Sequence, residues 1–187
     1  MDGTPFKGSI LRRLWAILVA LVICLAGSVA AEPEPPGDNA YLAALTVLYE
    51  ATGQPELGQR LVAHVVDNRA ALSGSAYWEV VVFADGQFCA WTGPRRMAFA
   101  RCQIEQSSDP ACFDRMALGW LGSAPDARER WLDLLAMSVA VANGAPEPVG
   151  FEGVLNFDKP RFWADGEPPW AWAKEYLGRV GDHQFWR

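Results

Sequence analysis

One carboxylate stands where acid chemistry could be done. In the segment Leu48 to Pro55, LYEATGQP, Glu50 closes an apolar stretch just before a glycine turn. A carboxyl half-buried by Leu48 and Tyr49 would have its pKa raised by desolvation. Protonated near neutral pH, it could donate to a glycosidic oxygen. The plainer alternative is a solvated glutamate at a helix end. A Cys/His peptidase pairing of Cys89 with His183 is also possible on residue types, but nothing beside Cys89 marks it as a thiolate. Beyond residue 31 the only histidines are His64 and His183, with no HExxH and no CxxC. A zinc enzyme site needs more ligands than that. There is no GxSxG elbow and no phosphate loop. No metal and no cofactor are expected.

Aromatic residues point the same way as Glu50. Beyond residue 31 the tryptophans are Trp78, Trp91, Trp120, Trp131, Trp163, Trp170, Trp172 and Trp186. Sugar rings offer flat C–H faces that pack on aromatic faces, whereas core packing is the ordinary use of a tryptophan. Trp131 fits the core. Trp163, Trp170 and Trp172 lie in a Pro/Gly-rich stretch and fit a groove wall, and Trp170 is read as substrate-binding.

These side chains need elements to position them. A helix is expected from about Ala40 to Ala51, capped by Asp38 or Asn39, with Leu42, Leu45 and Tyr49 on one face. Pro55 can open a second helix with Leu57, Leu61, Val62 and Val65 as its apolar stripe, broken by Ser73-Gly74-Ser75. Val80 to Phe83 could be strand or buried helix. Residues 92–110 read as loop. Asp126 and Glu129 form a capping-box pattern for a helix to about Asn143, with Trp131, Leu134, Leu135 and Val139 inward. Gly153 to Phe157 suggests a strand, Trp170 to Leu177 a short helix, and the 181–186 tail a strand or loop. The class is α+β with helices dominant.

The first 31 residues read as an export signal: Lys7, Arg12 and Arg13, then an apolar run from Leu14 to Ala26, then small residues up to Ala31. An uncleaved anchor is the alternative, and would be the chain's one link to a membrane. Residues 32–39 read as a linker and 40–187 as the catalytic domain. Removing 1–31 takes three bases and one acid (Asp2) from a chain of net charge −6, leaving −8. That balance argues against nucleic acid as a partner. Export implies an oxidising compartment, and Cys102 with Cys112 is the preferred disulfide, against three reduced thiols with Cys89.

Three motifs, in order, resemble those of the SleB-type cell wall hydrolases, which include spore-cortex-lytic enzymes. The first has the form Y-G-E-A-R-G-E-P followed by a helix ending in I-L-N-R. Here Leu48 to Pro55 is followed by Ala63-His64-Val65-Val66-Asp67-Asn68-Arg69. The second, Q-F-S-W, is matched by Gln87-Phe88-Cys89-Ala90-Trp91. The third, Gly-Asn-His-x-Phe-Tyr, is matched by Gly181-Asp182-His183-Gln184-Phe185-Trp186. The resemblance spans roughly residues 40–187. It implies a lysozyme-like, lytic-transglycosylase-like single domain acting on the MurNAc–GlcNAc bond of peptidoglycan, with Glu50 as the acid/base. It also implies substrate contacts from Tyr49, Gln87, Phe88, Trp91 and His183, with Gln87 and His183 approaching Glu50. In that chemistry one glutamate protonates the leaving oxygen and then takes the proton of the sugar's 6-hydroxyl, closing a 1,6-anhydro ring, so no second carboxylate is needed.

The sequence departs from the pattern at Tyr49, Thr52, Gln54, Cys89, Asp182 and Trp186. Two alternatives stay open. One is a hydrolytic muramidase with Asp85 or Asp158 as second carboxylate; the other is a catalytically weak peptidoglycan-binding protein. A periplasmic or secreted location follows from the signal.

Overall fold

The structure is a computed structural model that describes residues 37–75, 78–84, 87–105, 111–159 and 173–187. All of it belongs to the unit Pro36–Arg187. The expected export signal, most of the expected linker, Asp85, Trp163, Trp170 and Trp172 lie outside the described residues.

Helix α1, Asp38–Ala51, is the centre of the molecule. Its sequence is so rich in Ala, Leu and Val that no side of it is suited to water, and a helix apolar all round must be buried. Leu42, Ala43, Ala44, Leu45, Val47 and Leu48 are all fully inaccessible. The expected single apolar face is therefore too narrow a reading. The expected cap also differs. The helix begins at Asp38 after Gly37, with no side-chain cap. Asn39 Oδ1 accepts the Trp78 N–H at 3.4 Å, and Asp38 accepts from Gln103 at 3.3 Å.

Helix α2, Glu56–Ser73, follows Pro55 and stops at Gly74, whose φ of 66° suits a residue without Cβ. Leu61, Val62 and Val65 are buried as the stripe predicts, but Leu57 is 41% exposed. The ambiguous Val80 to Phe83 stretch resolves as part of a short helix, α3, Trp78–Val82.

The expected loop over 92–110 is overturned: Gly93–Glu105 is helix α4. Pro94 sits in its first turn, where its missing N–H costs nothing. Only Phe99 and Cys102 of α4 are buried, so its apolar periodicity is faint. Helix α5, Cys112–Leu121, and helix α6, Ala127–Ala142, complete the helical layer. In α6 Trp131, Leu134 and Leu135 face inward, while Val139 is half-buried. The Asp126–Glu129 pattern makes no side-chain cap. Asp126 instead offers its backbone carbonyl to the Arg130 N–H at 3.0 Å. Helices α2, α3, α5 and α6 all pack on α1. Cys102 and Cys112 form a disulfide, with Cα atoms 5.3 Å apart, joining α4 to α5.

A small antiparallel sheet follows: β1 Asn156–Asp158, β2 Tyr176–Val180 and β3 His183–Trp186, in the order β1-β3-β2. The helix expected to reach Leu177 gives way to β2, because Tyr176 and Val180 pair with Trp186 and His183 across the hairpin. The sheet is tied to α2 by two consecutive side chains. Asn68 Nδ2 donates to Val154 O at 2.9 Å, and Arg69 Nε donates to Leu155 O at 2.6 Å. The described residues are thus α+β and helix-dominated.

Candidate active site

Glu50 is the penultimate residue of α1, the most deeply packed helix of the fold. Its backbone is consequently rigid, and its half-buried side chain emerges where the helix reaches the edge of the core. The turn 87–91 meets it there. The Ala90 N–H donates to Glu50 Oε1 at 2.9 Å, and Cys89 Sγ lies 3.9 Å from both carboxyl oxygens. Burial raises the Glu50 pKa above the ordinary carboxylate value. The Ala90 N–H, Lys159, the Cys89 thiol and Arg95 each pull back part of that rise. The group is thus biased toward the protonated form yet retains partners for the carboxylate, which a group that must both give and take a proton requires.

The turn that holds Glu50 is itself fixed from three sides. Trp91 Nε1 donates to Thr46 Oγ1 at 2.9 Å, and Thr46 donates to Leu42 O at 2.7 Å, both inside the core. Arg96 Nε donates to Trp91 O at 3.1 Å, and Arg95 donates to Ala90 O. Thr46 is a fully buried hydroxyl on α1, and Trp91 supplies an indole N–H to it. The two helices that were expected to be absent or unremarked, α4 and α5, carry the rest of the wall. Arg95 lies 4.6 Å from the Tyr49 ring centroid and 4.5 Å from that of Trp120, and Tyr49 meets both Trp91 and Trp120 edge-on at 5.3 Å.

The expected substrate contacts separate into three groups. Tyr49 is half-buried beside Glu50. Gln87 is exposed two residues before Cys89, and lines a shallow cavity of about 400 Å³ with Arg69, Ser73, Ala84, Asn156 and Lys174. Phe88 and Trp91 are buried, at 4% and 3% exposure, and support the turn from behind. His183 is buried as well. It is 1% exposed, with its ring 5.1 Å from Phe157, which in turn lies 6.0 Å from Phe88. His183 thus reaches the site region through two aromatic contacts, from the core side. Trp170 lies outside the described residues.

Cys89 is exposed and free of disulfide. Burial of its sulfur, then the Glu50 charge, pushes its pKa up, which is the wrong direction for a thiolate nucleophile. Asp158 adds to that rise, so a second carboxylate acts on the same corner.

A cavity of about 680 Å³ lies elsewhere and is not lined by Glu50. It runs between α2 and α6 and includes Thr52, Glu56, Arg60, Arg130 and Asp133. The ionisable groups of that cavity sit on solvated helix surfaces.

Residues from the first and third motifs also meet. Gln54 Oε1 accepts the Asp182 N–H at 2.7 Å, pinning the β2–β3 turn to the loop that follows Glu50. Arg69, whose pKa burial lowers to about 10, stacks 5.2 Å from the Phe88 ring centroid. Neither role was visible in sequence, where Arg69 and Gln54 are simply polar residues near a helix end and a turn.

No protein-family model and no curated protein matches the chain. Among solved structures it is similar to the catalytic domain of the Bacillus cereus SleB protein. The identity is 22%, the alignment covers 84% of this chain and 99% of that one, and the TM-score is 0.46.

Proposed function

We infer that the protein is an exported enzyme that cleaves the glycan strands of peptidoglycan, with Glu50 as its acid/base group. The observation that carries this reading is the Glu50 carboxyl, its pKa raised by burial, fixed by the Ala90 N–H at the surface end of a packed helix. The motif resemblance around Leu48–Arg69, Gln87–Trp91 and Gly181–Trp186 supplies the substrate class.

The chemistry follows from one titratable group. Protonated Glu50 gives its proton to the glycosidic oxygen as that bond breaks. The resulting carboxylate, stabilised by the Ala90 N–H, removes the proton from the sugar's 6-hydroxyl, which closes on the anomeric carbon. Glu50 ends protonated, ready for another cycle, and the product is a 1,6-anhydro sugar. Hydrolysis is the second reading. Asp158, close enough to act on the Cys89 thiol, is the specific residue that favours it.

Mass analysis of muropeptides released from purified sacculi tests both. Anhydro products, lighter by one water, are expected. Reducing-end products that disappear in Asp158→Asn would shift the assignment to hydrolysis. Binding to sacculi without any release would overturn the enzyme reading.

A further inference from the structure

Trp120 takes no part in the chemistry above, yet it is held as few exposed tryptophans are. It is 47% exposed, in the last turn of α5. An exposed side chain ordinarily retains rotamer freedom, and ordering it on binding costs free energy. Here that cost is already met by contacts on two sides. Tyr49 meets the indole edge-on at 5.3 Å, and the Arg95 guanidinium lies 4.5 Å from the ring centroid. Arg95 donates to the carbonyl of Ala90, whose own N–H holds Glu50. One residue therefore links the indole's anchor to the acid.

The two helices that carry this stack are clamped at both ends. Cys102 in α4 is bonded to Cys112 in α5. Arg95 lies seven residues before Cys102, and Trp120 eight residues after Cys112. At 1.5 Å per residue the arms are roughly 10 and 12 Å long. The matched arms form a helical hairpin closed by the disulfide at one end and by the Arg95–Trp120 stack at the other.

A rigid, flat, apolar face beside a general acid suits a ligand built of rings with C–H faces. The chain's net charge of −6 gives no bulk attraction for an anionic polymer, so shape must do the recognising. We propose that Trp120 is a stacking platform that holds one sugar ring of the glycan next to the bond that Glu50 attacks. The proposal rests on the glycan-cleaving reading and names a binding residue for it.

The test uses the full protein carrying Glu50→Gln, so that ligand is not consumed. Affinity for tetra-N-acetylchitotetraose is read by calorimetry, with and without a change at Trp120. Trp120→Ala and Trp120→Leu are expected to weaken binding about tenfold, Trp120→Phe by about threefold or less. In the Glu50 background, Trp120→Leu should raise KM on sacculus fragments by the same factor and leave kcat within about twofold. Leucine keeps apolar bulk for folding while removing the flat face. Unchanged affinity in Trp120→Leu, or a fall in kcat at constant KM, would overturn the platform. So would a Trp120→Phe protein as weak as Trp120→Leu. A parent protein that cleaves sacculi while these outcomes occur leaves the glycan reading standing and removes only the platform. A parent that neither binds nor cleaves glycan removes both.

Discussion

The corner at Glu50 and the corner at His183 are built from similar materials and end in opposite states. Each sets one ionisable side chain among aromatic rings, and each is contributed by one of the three sequence motifs. Glu50 is half-buried, accepts a single backbone N–H and borders the exposed Cys89. His183 is sealed at 1% exposure between Phe157 and Phe185. Glu50 keeps part of its surface open to solvent, whereas His183 is closed off among aromatic rings. Motif membership does not distinguish the two, whereas exposure does.

Substitution at each corner breaks or upholds that contrast. Glu50→Gln preserves shape and can still accept the Ala90 N–H, but holds no titratable proton. Muropeptide release is expected to fall by about 10²–10⁴ with the fold intact. His183→Ala should do the reverse. Emptying that packed position is expected to cost about 2–4 kcal/mol in denaturant unfolding, while kcat of the folded fraction at low temperature changes little. A His183→Ala protein of normal stability but negligible kcat would return His183 to the reaction and collapse the comparison.

The link between the corners can be cut separately. The β2–β3 turn docks on the loop after Glu50 through Gly181, whose φ is 59°. A Cβ there would lie 2.7 Å from Pro55 Cδ and also meet Gln54 Oε1. Gly181→Ala is expected to cost about 2 kcal/mol from the left-handed backbone and the clash together. Because the same contact positions the Gln54–Pro55 loop, activity should fall several-fold as well. Loss of stability with full activity would show that the sheet does not help position the acid.

The half-buried place of Glu50 at a helix end was legible in sequence because its cue is local: an acid closing an apolar run before a turn. The disulfide was legible for the same reason, from a short polar loop between two cysteines. The wall of the site was not. Helix α4 buries only Phe99 and Cys102, so its periodicity is weak, and α5 was not anticipated. Arg95 and Trp120 gain their roles only when those helices pair. The burial of Phe88 and Trp91 was hidden for a different reason. Aromatic side chains serve cores and grooves alike, and sequence does not report which face is covered. Trp91 had a usable signal in retrospect: a buried hydroxyl at Thr46 needs a partner, and an indole N–H is a common one.

The smallest expected effect concerns the pH dependence of stability at the Glu50 corner. Burial raises the folded-state pKa of Glu50 above its ordinary value of 4.5. The folded state therefore binds a proton more tightly than the unfolded state. Its stabilising contribution is full below pH 4.5 and is lost as pH rises through the raised folded pKa. Near neutral pH the raised pKa of Glu50 is a net cost to the fold, and Glu50→Gln removes it. The variant should melt higher than the parent at pH 7, by a few degrees at most, since about 1 kcal/mol moves Tm by roughly 2–4 °C in a chain of this size. The gap should close as the pH is lowered below 4.5, where the carboxyl becomes protonated in folded and unfolded states alike. Melting curves of the two proteins across that range measure it directly. A parent that melts above Glu50→Gln at pH 7 would mean that the Ala90 N–H, Lys159 and Arg95 outweigh desolvation. The carboxyl would then be a stabilised anion, suited to accept a proton but not to donate one, and the contrast with His183 would need another basis.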